Sequence, residues 1–188
     1  MEHFYETIPG WASQPLVDLY KKMVAQTTSG VFVEVGTWLG RSACLMAVEI
    51  INANKNIEFH CVDHWRGSAE HAWDDNVING TLYWNFLINI KPVEHKINPI
   101  KLPSLEAAKL FQDNSIDFVF LDASHDYENV KADITAWYPK VKVGGILAGH
   151  DYPDTKGWFG VKEAVDEFVL NNPGHKVDTS TDSWTFVK

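Results

Sequence analysis

The stretch Val31-Phe-Val-Glu-Val-Gly-Thr-Trp-Leu-Gly-Arg-Ser42 constrains this chain more than any other. Its apolar, β-branched start predicts a buried strand over Val31–Val35, its glycines a tight turn, and the residues from Arg41 to about Asn52 a helix. Such a turn sets a helix N-terminus, which favours negative charge, beside glycines that admit close backbone approach. Glu34, Gly36, Gly40 and Ser42, with Thr37 and Trp38 between them, are therefore placed to receive a small ligand carrying both a cation and an anion. An ordinary strand–helix turn, with its glycines serving packing alone, is the plain alternative.

The rest of the chain alternates helices and strands without internal repeats. An amphipathic helix is expected from Pro15 to about Thr27, with Leu16, Leu19, Tyr20 and Met23 on one face. Strands are expected at Ile57–Val62, Ile97–Lys101, Ile116–Leu121 and Gly145–Gly149, then a final pair at Lys176–Thr179 and Trp184–Val187. Helices are expected at Leu82–Ile90, Ser104–Phe111, Tyr127–Tyr138 and Val161–Leu170. This order predicts a doubly wound, mostly parallel α/β sheet of seven strands closed by an antiparallel hairpin. Residues 1–29 form a helical segment expected to pack on a single domain of residues 30–188.

Composition narrows the class of partner. A net charge of -9 over 188 residues argues against nucleic acid, whose affinity rests on Lys and Arg. No run of about 18 apolar residues suggests a membrane span, and the first residues do not resemble a signal peptide. Cys44 and Cys61 fall inside expected elements, as befits buried thiols of a reducing compartment, so a cytoplasmic location is expected. The Asn79-Gly80-Thr81 sequon is then incidental.

Ligands of such sheets bind beyond the carboxyl ends of the strands, where the polar residues gather. Asp63, followed by His64, ends the second strand, where a carboxylate can accept both hydroxyls of a ribose or simply cap a turn. Ser104 follows the third strand, able to reach an adenine edge or to cap its helix. Asp122 follows the fourth, with His125 three residues on, and His150 and Asp151 follow the fifth. The spacing E-x-G-x-x-x-G-x-S differs from the G-x-G-x-x-G of dinucleotide sites. It points instead to S-adenosylmethionine, whose ammonium needs a carboxylate and whose carboxylate needs donors.

Four segments in order, Val33-Glu-Val-Gly-Thr-Trp-Leu-Gly-Arg-Ser42, Val62-Asp-His-Trp65, Asp117-Phe-Val-Phe-Leu-Asp-Ala-Ser-His125 and Gly144-Gly-Ile-Leu-Ala-Gly-His-Asp151, carry a resemblance. The chain resembles the class I S-adenosylmethionine-dependent methyltransferases, Rossmann-like enzymes, in the branch of catechol O-methyltransferase and the macrolide and aminocoumarin sugar O-methyltransferases. The resemblance implies that Glu34, Gly36, Gly40 and Ser42 hold the methionine end of the cofactor and Asp63 its ribose. It implies a divalent ion at Asp122 and a proton acceptor at His125. The family commonly has two oxygen ligands after the fifth strand, whereas this chain has His150 before Asp151. Magnesium prefers oxygen and imidazole suits other ions. Either His150 points away and waters complete a magnesium site, or the metal differs, or the site is empty; a magnesium-like ion on Asp122 and Asp151 is the favoured expectation, with His150 contacting the acceptor or standing behind the ligands.

The activity so implied is methylation of a hydroxyl on a small acceptor. His125, neutral near pH 7, would take the proton, and a divalent ion would lower the acceptor's pKa. Trp65, Trp158 and the 67–93 segment are candidates for the acceptor pocket, and a homo-oligomer is compatible with all of this. Two alternatives remain: a subunit that binds S-adenosylmethionine without methyl transfer, and an NAD-dependent oxidoreductase.

Overall fold

The computed structural model describes residues 1–152, 159–173, 177–178 and 182–188. Among them, six strands form one sheet: β1 (Ser29–Val35), β2 (Asn56–Asp63), β3 (Ile97–Lys101), β4 (Ile116–Leu121), β5 (Val141–His150) and β6 (Ser183–Val187), in the order β3-β2-β1-β4-β5-β6. All neighbours are parallel except β5 and β6, which pair antiparallel from Ile146↔Val187 to His150↔Ser183. Among the described residues the expected seventh strand is not formed. Near it only an isolated bridge joins Asp178 to Thr185, and Lys176 and Thr179 lie outside the described residues. A single bridge does not make a ladder, so the described residues form six strands against the seven expected.

The helices are α1 (Gln14–Gln26), α2 (Arg41–Asn52), α3 (Asp75–Ile78), α4 (Leu82–Ile90), α5 (Ser104–Ala108), α6 (Tyr127–Trp137) and α7 (Phe159–Asn171). Strand alternation divides the core between the two faces of the sheet. Phe32, Phe59, Phe118 and Phe120 pack with Tyr20 of α1 and Leu45 of α2 on one side. Val33, Val35, Val119 and Leu147 pack with Ile134 of α6 and Val165 of α7 on the other. α1 starts at Ser13, whose hydroxyl accepts the N–H of Leu16 at 3.3 Å, with Pro15 in the first turn. Its buried face of Leu16, Val17, Tyr20, Met23 and Val24 ties the N-terminal segment into this same core. Each large apolar side chain so placed contributes about 1.5–3 kcal/mol relative to exposure.

α5 is shorter than the helix to Phe111 that the sequence suggests, and Ser104 does not cap it. Pro103 holds the cap position without a side-chain bond. The order of strands reverses between β1 and β4, which opens a crevice above their carboxyl ends.

Candidate functional site

β1 runs into a turn in which Gly36 and Gly40 have φ of +91° and +89°, and Trp38 also takes a left-handed φ of +52°. The protein's own packing already requires glycine here. A Cβ on Gly36 would lie 2.1 Å from the carbonyl oxygen of Asp122, and one on Gly40 would lie 3.0 Å from the Phe86 ring. Both glycines therefore admit the protein's own β4 end and α4. The amide of Gly36 donates to Val62 O at 2.8 Å and that of Asp122 to Val35 O at 2.8 Å, so the ends of β1, β2 and β4 are locked together.

Asp63 takes part in this lock. Its Oδ2 accepts the N–H of Thr37 at 3.1 Å and of Trp38 at 2.9 Å, and its Oδ1 accepts that of Trp65 at 2.7 Å. The carboxylate expected to hold a ribose is thus first a clamp on the turn. His64 accepts from the Arg66 amide at 3.0 Å and is partly exposed. Trp65 is 4% exposed, packed on Tyr83 and Phe86, with its Nε1–H bonded to Trp38 O at 2.9 Å. It is core, not acceptor pocket. Trp158 lies outside the described residues.

Glu34 lies on the Phe32 face of β1 and is 1% exposed. Tyr20 Oη donates to its Oε2 at 2.7 Å and Ser42 Oγ to its Oε1 at 3.0 Å. Burial pushes its pKa up to about 8, against the opposing effect of these two hydroxyls. An acid in this state is complemented by a cation. α2 begins behind Gly40 with no side-chain cap, so the amides of its first turn face the crevice end without one. Backbone amides at the start of α2 beside a buried acid are the donor and acceptor types that the amino-acid end of S-adenosylmethionine needs. At the other end the fit is looser. Ser104 Oγ donates to Asp133 Oδ1 at 2.5 Å and accepts from Trp137 Nε1 at 2.9 Å, so its hydroxyl is engaged inside the protein. Burial raises the Asp133 pKa to about 6 despite that bond.

The ends of β4 and β5 bring the second constellation together. Ligand atoms of Asp122, His125 and Asp151 lie within 4.8 Å of one another. His125 Nε2 is 3.1 Å from Asp151 Oδ2, and its Nδ1 is 2.9 Å from Glu70 Oε2. His150 Nδ1 is 3.1 Å from the same Asp151 oxygen but 3.9 Å from Asp122, and its Nε2 is 3.3 Å from Asp182. Of the two histidines, His125 and not His150 completes the group with metal-ligand spacing. Asp151 adopts a left-handed φ of +60°, a conformation uncommon outside glycine that turns its carboxylate in toward both rings.

Charge follows geometry. Burial alone would lower the pKa of His125, but the hydrogen bonds to Asp151 and Glu70 outweigh it and hold the imidazole at about 9. His150 is raised to about 9 in the same way, by Asp151 and the charges of Asp122 and Asp182 against burial. Burial would raise Asp151, yet the two imidazoles hold its carboxyl well below the usual range. His125 is therefore not neutral near pH 7 as the sequence suggests. Asp151, Glu70 and Asp122 together favour its protonated form.

Sequence reasoning missed Glu70, Asp182 and Tyr20 as partners of these residues. Glu70 lies in a short 3-10 turn, Ala69–His71, of the long connection after β2. No local pattern separates it from other surface acids.

Comparison with known proteins agrees with this arrangement. The family described as a methyltransferase domain matches residues 33–152. An uncharacterized protein of Sinorhizobium fredii is 24% identical over 171 residues, which are 91% of this chain but 18% of that protein. The chain thus spans less than a fifth of that relative's length. The structure of the O-methyltransferase NovP superposes with a TM-score of 0.70 at 18% identity, covering 92% of this chain and 78% of that one. CalS11, a TDP-rhamnose 3′-O-methyltransferase of calicheamicin biosynthesis, superposes with a TM-score of 0.61 at 18% identity, covering 91% and 76%. With the glycine turn, the β2 carboxylate and the β4 and β5 ends all inside the matched segment, this chain belongs to the methyltransferase-domain family.

Proposed function

We propose that the protein is an S-adenosylmethionine-dependent O-methyltransferase acting, with a divalent cation, on a hydroxyl of a small acceptor of the sugar or natural-product type. The observation that carries this is the meeting, at the carboxyl edge of the sheet, of the turn around Glu34 and Ser42 with the Asp122–His125–Asp151 cluster. The Gly36–Asp122 contact sets the two side by side. Similar structures described as O-methyltransferases, one acting on a TDP-sugar, support the choice of oxygen and of a sugar-like acceptor. Family membership favours methyl transfer over the dinucleotide-dependent alternative.

Each residue's task follows from its chemistry. Glu34 would face the ammonium of the cofactor, with Ser42 holding that acid through its hydroxyl, and the α2 amides would face the cofactor's carboxylate, which orients the donor; Asp63 holds the turn in the shape that does this. S-adenosylmethionine supplies an activated methyl group. A divalent cation, held by Asp122 and Asp151, would orient the acceptor and lower the pKa of its hydroxyl. An imidazole at the β4 and β5 ends, His125 or His150, would receive the acceptor's proton. Trp38 and His71, half-buried with ring centroids 4.6 Å apart, are the aromatic residues beside the glycine turn that a sugar face could meet.

Calorimetry with S-adenosylmethionine, followed by mass spectrometry of a panel of glycosides incubated with and without EDTA, tests this. Binding together with a chelator-sensitive gain of one methyl group is expected. Binding with no transfer to any hydroxylated compound would favour a non-catalytic subunit instead.

A further inference from the structure

The metal-assisted reading above leaves open what His125 does, and its surroundings decide against proton acceptor. A general base needs one ring nitrogen turned to the acceptor. His125 turns both nitrogens to carboxylates, Nδ1 to Glu70 at 2.9 Å and Nε2 to Asp151 at 3.1 Å. A carboxylate on one nitrogen and a metal position on the other is the arrangement by which ligand histidines are fixed in tautomer and orientation. Adjacent ligands on an ion with bonds of about 2.1 Å lie roughly 3 Å apart and opposite ones roughly 4.2 Å. The mutual separations within 4.8 Å therefore need little closing to receive an ion.

Glu70 is held where it can do this. Its neighbour His71 lies against the ring of Trp38, centroids 4.6 Å apart, and against Trp11 at 5.8 Å. Ser68 Oγ is 2.8 Å from His71 Nδ1 and closes the turn on its other side. The turn that carries Glu70 is thus docked on the same glycine turn that would hold the methyl donor. His150 has its Nε2 turned to Asp182 at 3.3 Å and its Nδ1 to Asp151 at 3.1 Å, and the group with metal-ligand spacing is Asp122, His125 and Asp151.

From this geometry we infer that His125 is a ligand of the divalent cation through Nε2, that Glu70 is the residue positioning it, and that the site is built for an ion of the manganese, cobalt or zinc kind. Magnesium takes oxygen ligands and keeps much of its water, whereas affinity at an imidazole rises along the first-row series. A site that offers one imidazole with two carboxylates separates the two classes of ion. The inference rests on the metal-assisted function but concerns the ligand set alone.

The metals themselves are the probes. EDTA-treated protein is titrated with Co²⁺, Mn²⁺ and Mg²⁺ by calorimetry, with Co²⁺ also followed by its visible spectrum. We expect Co²⁺ and Mn²⁺ to bind at least tenfold more tightly than Mg²⁺. His125→Ala should weaken Co²⁺ by about 100-fold, and Glu70→Gln by roughly 10- to 100-fold, the range for loss of an outer carboxylate. Glu70→Gln should leave S-adenosylmethionine affinity unchanged, which a general loosening of the fold would not. Should His125→Ala fail to fold, the wild-type protein still decides: Co²⁺ should produce a hyperfine-shifted, exchangeable Nδ1–H proton line, lost in Glu70→Ala. Equal affinity for Mg²⁺ and Co²⁺, no such line, or no effect of Glu70→Gln on Co²⁺ overturns the inference. S-adenosylmethionine titrated in EDTA separates the two levels. Failure there counts against the methyltransferase function, and failure of the metal arms alone counts against His125 as ligand.

Discussion

Asp63 and Trp38, 25 residues apart in sequence, are joined by a 2.9 Å bond from the Trp38 amide to the Asp63 carboxylate. That bond helps hold a bulky residue at a φ of +52°, a conformation that costs about 1–3 kcal/mol when nothing maintains it. The shape of the glycine turn, and with it the positions of Ser42 and the α2 amides, depends on the end of β2.

Asp63→Ala should therefore lower stability as well as cofactor affinity. Loss of charge-assisted bonds to backbone amides costs about 1.5–3 kcal/mol, which in a chain of this size moves Tm by roughly 4–10 °C. Thermal denaturation without ligand, beside calorimetry with S-adenosylmethionine, reads both. An unchanged Tm with weakened binding would show Asp63 acting on ligand alone.

Gly36→Ala should be far more damaging than Gly80→Ala. Both glycines have positive φ, but a Cβ at 36 meets the Asp122 carbonyl at 2.1 Å and one at 80 meets nothing within 4 Å. The second change should cost about 1 kcal/mol and the first at least about 3 kcal/mol, because backbone cannot yield as a side chain can. Denaturant unfolding of the two variants makes the comparison. Similar costs would mean that the β1–β4 junction is looser than its hydrogen bonds indicate.

Glu34 makes stability depend on pH. With its pKa raised from 4.5 to about 8, the folded state binds a proton that the unfolded chain has released. The stabilisation from protonation is complete below about 4.5 and is lost as pH rises to about 8, with a slope approaching 1.4 kcal/mol per unit. Glu34→Gln should flatten that slope and raise Tm at pH 8.5, while weakening S-adenosylmethionine binding at least tenfold because its ammonium loses a counter-charge. Calorimetric melts between pH 5 and 9 check the first part and ligand titration the second. A variant with the wild-type slope would locate the pH dependence elsewhere.

Ser104→Ala tests whether that hydroxyl serves cofactor or core. It bridges Trp137 Nε1 and Asp133 Oδ1, so its removal should cost about 1–3 kcal/mol through unpaired buried groups. Affinity for S-adenosylmethionine should stay within about threefold. A large loss of affinity with little change in Tm would return Ser104 to the adenine edge.

The elements most legible in the sequence were those set by local pattern. The spans Arg41–Asn52 and Leu82–Ile90 are helices at the expected residues, and the runs at 31–35, 57–62, 97–101 and 116–121 are strands, because periodicity and turn residues act over a few positions. The strand ends then followed from the parallel order, which by itself brings Glu34, Asp63, Asp122 and Asp151 to one edge. What the pattern could not carry was the partner of each group. Asp63 bonds to amides 25 and 26 residues away and Glu34 to a tyrosine 14 residues back, while His125 meets a glutamate 55 residues earlier. The protonation of His125 depends on three carboxylates from separate segments, and the need for glycine at 36 on a carbonyl from another strand. Hydrogen bonds and electrostatic fields act through distances of a few ångströms, and which residues come that close is decided only when the sheet and its loops have packed.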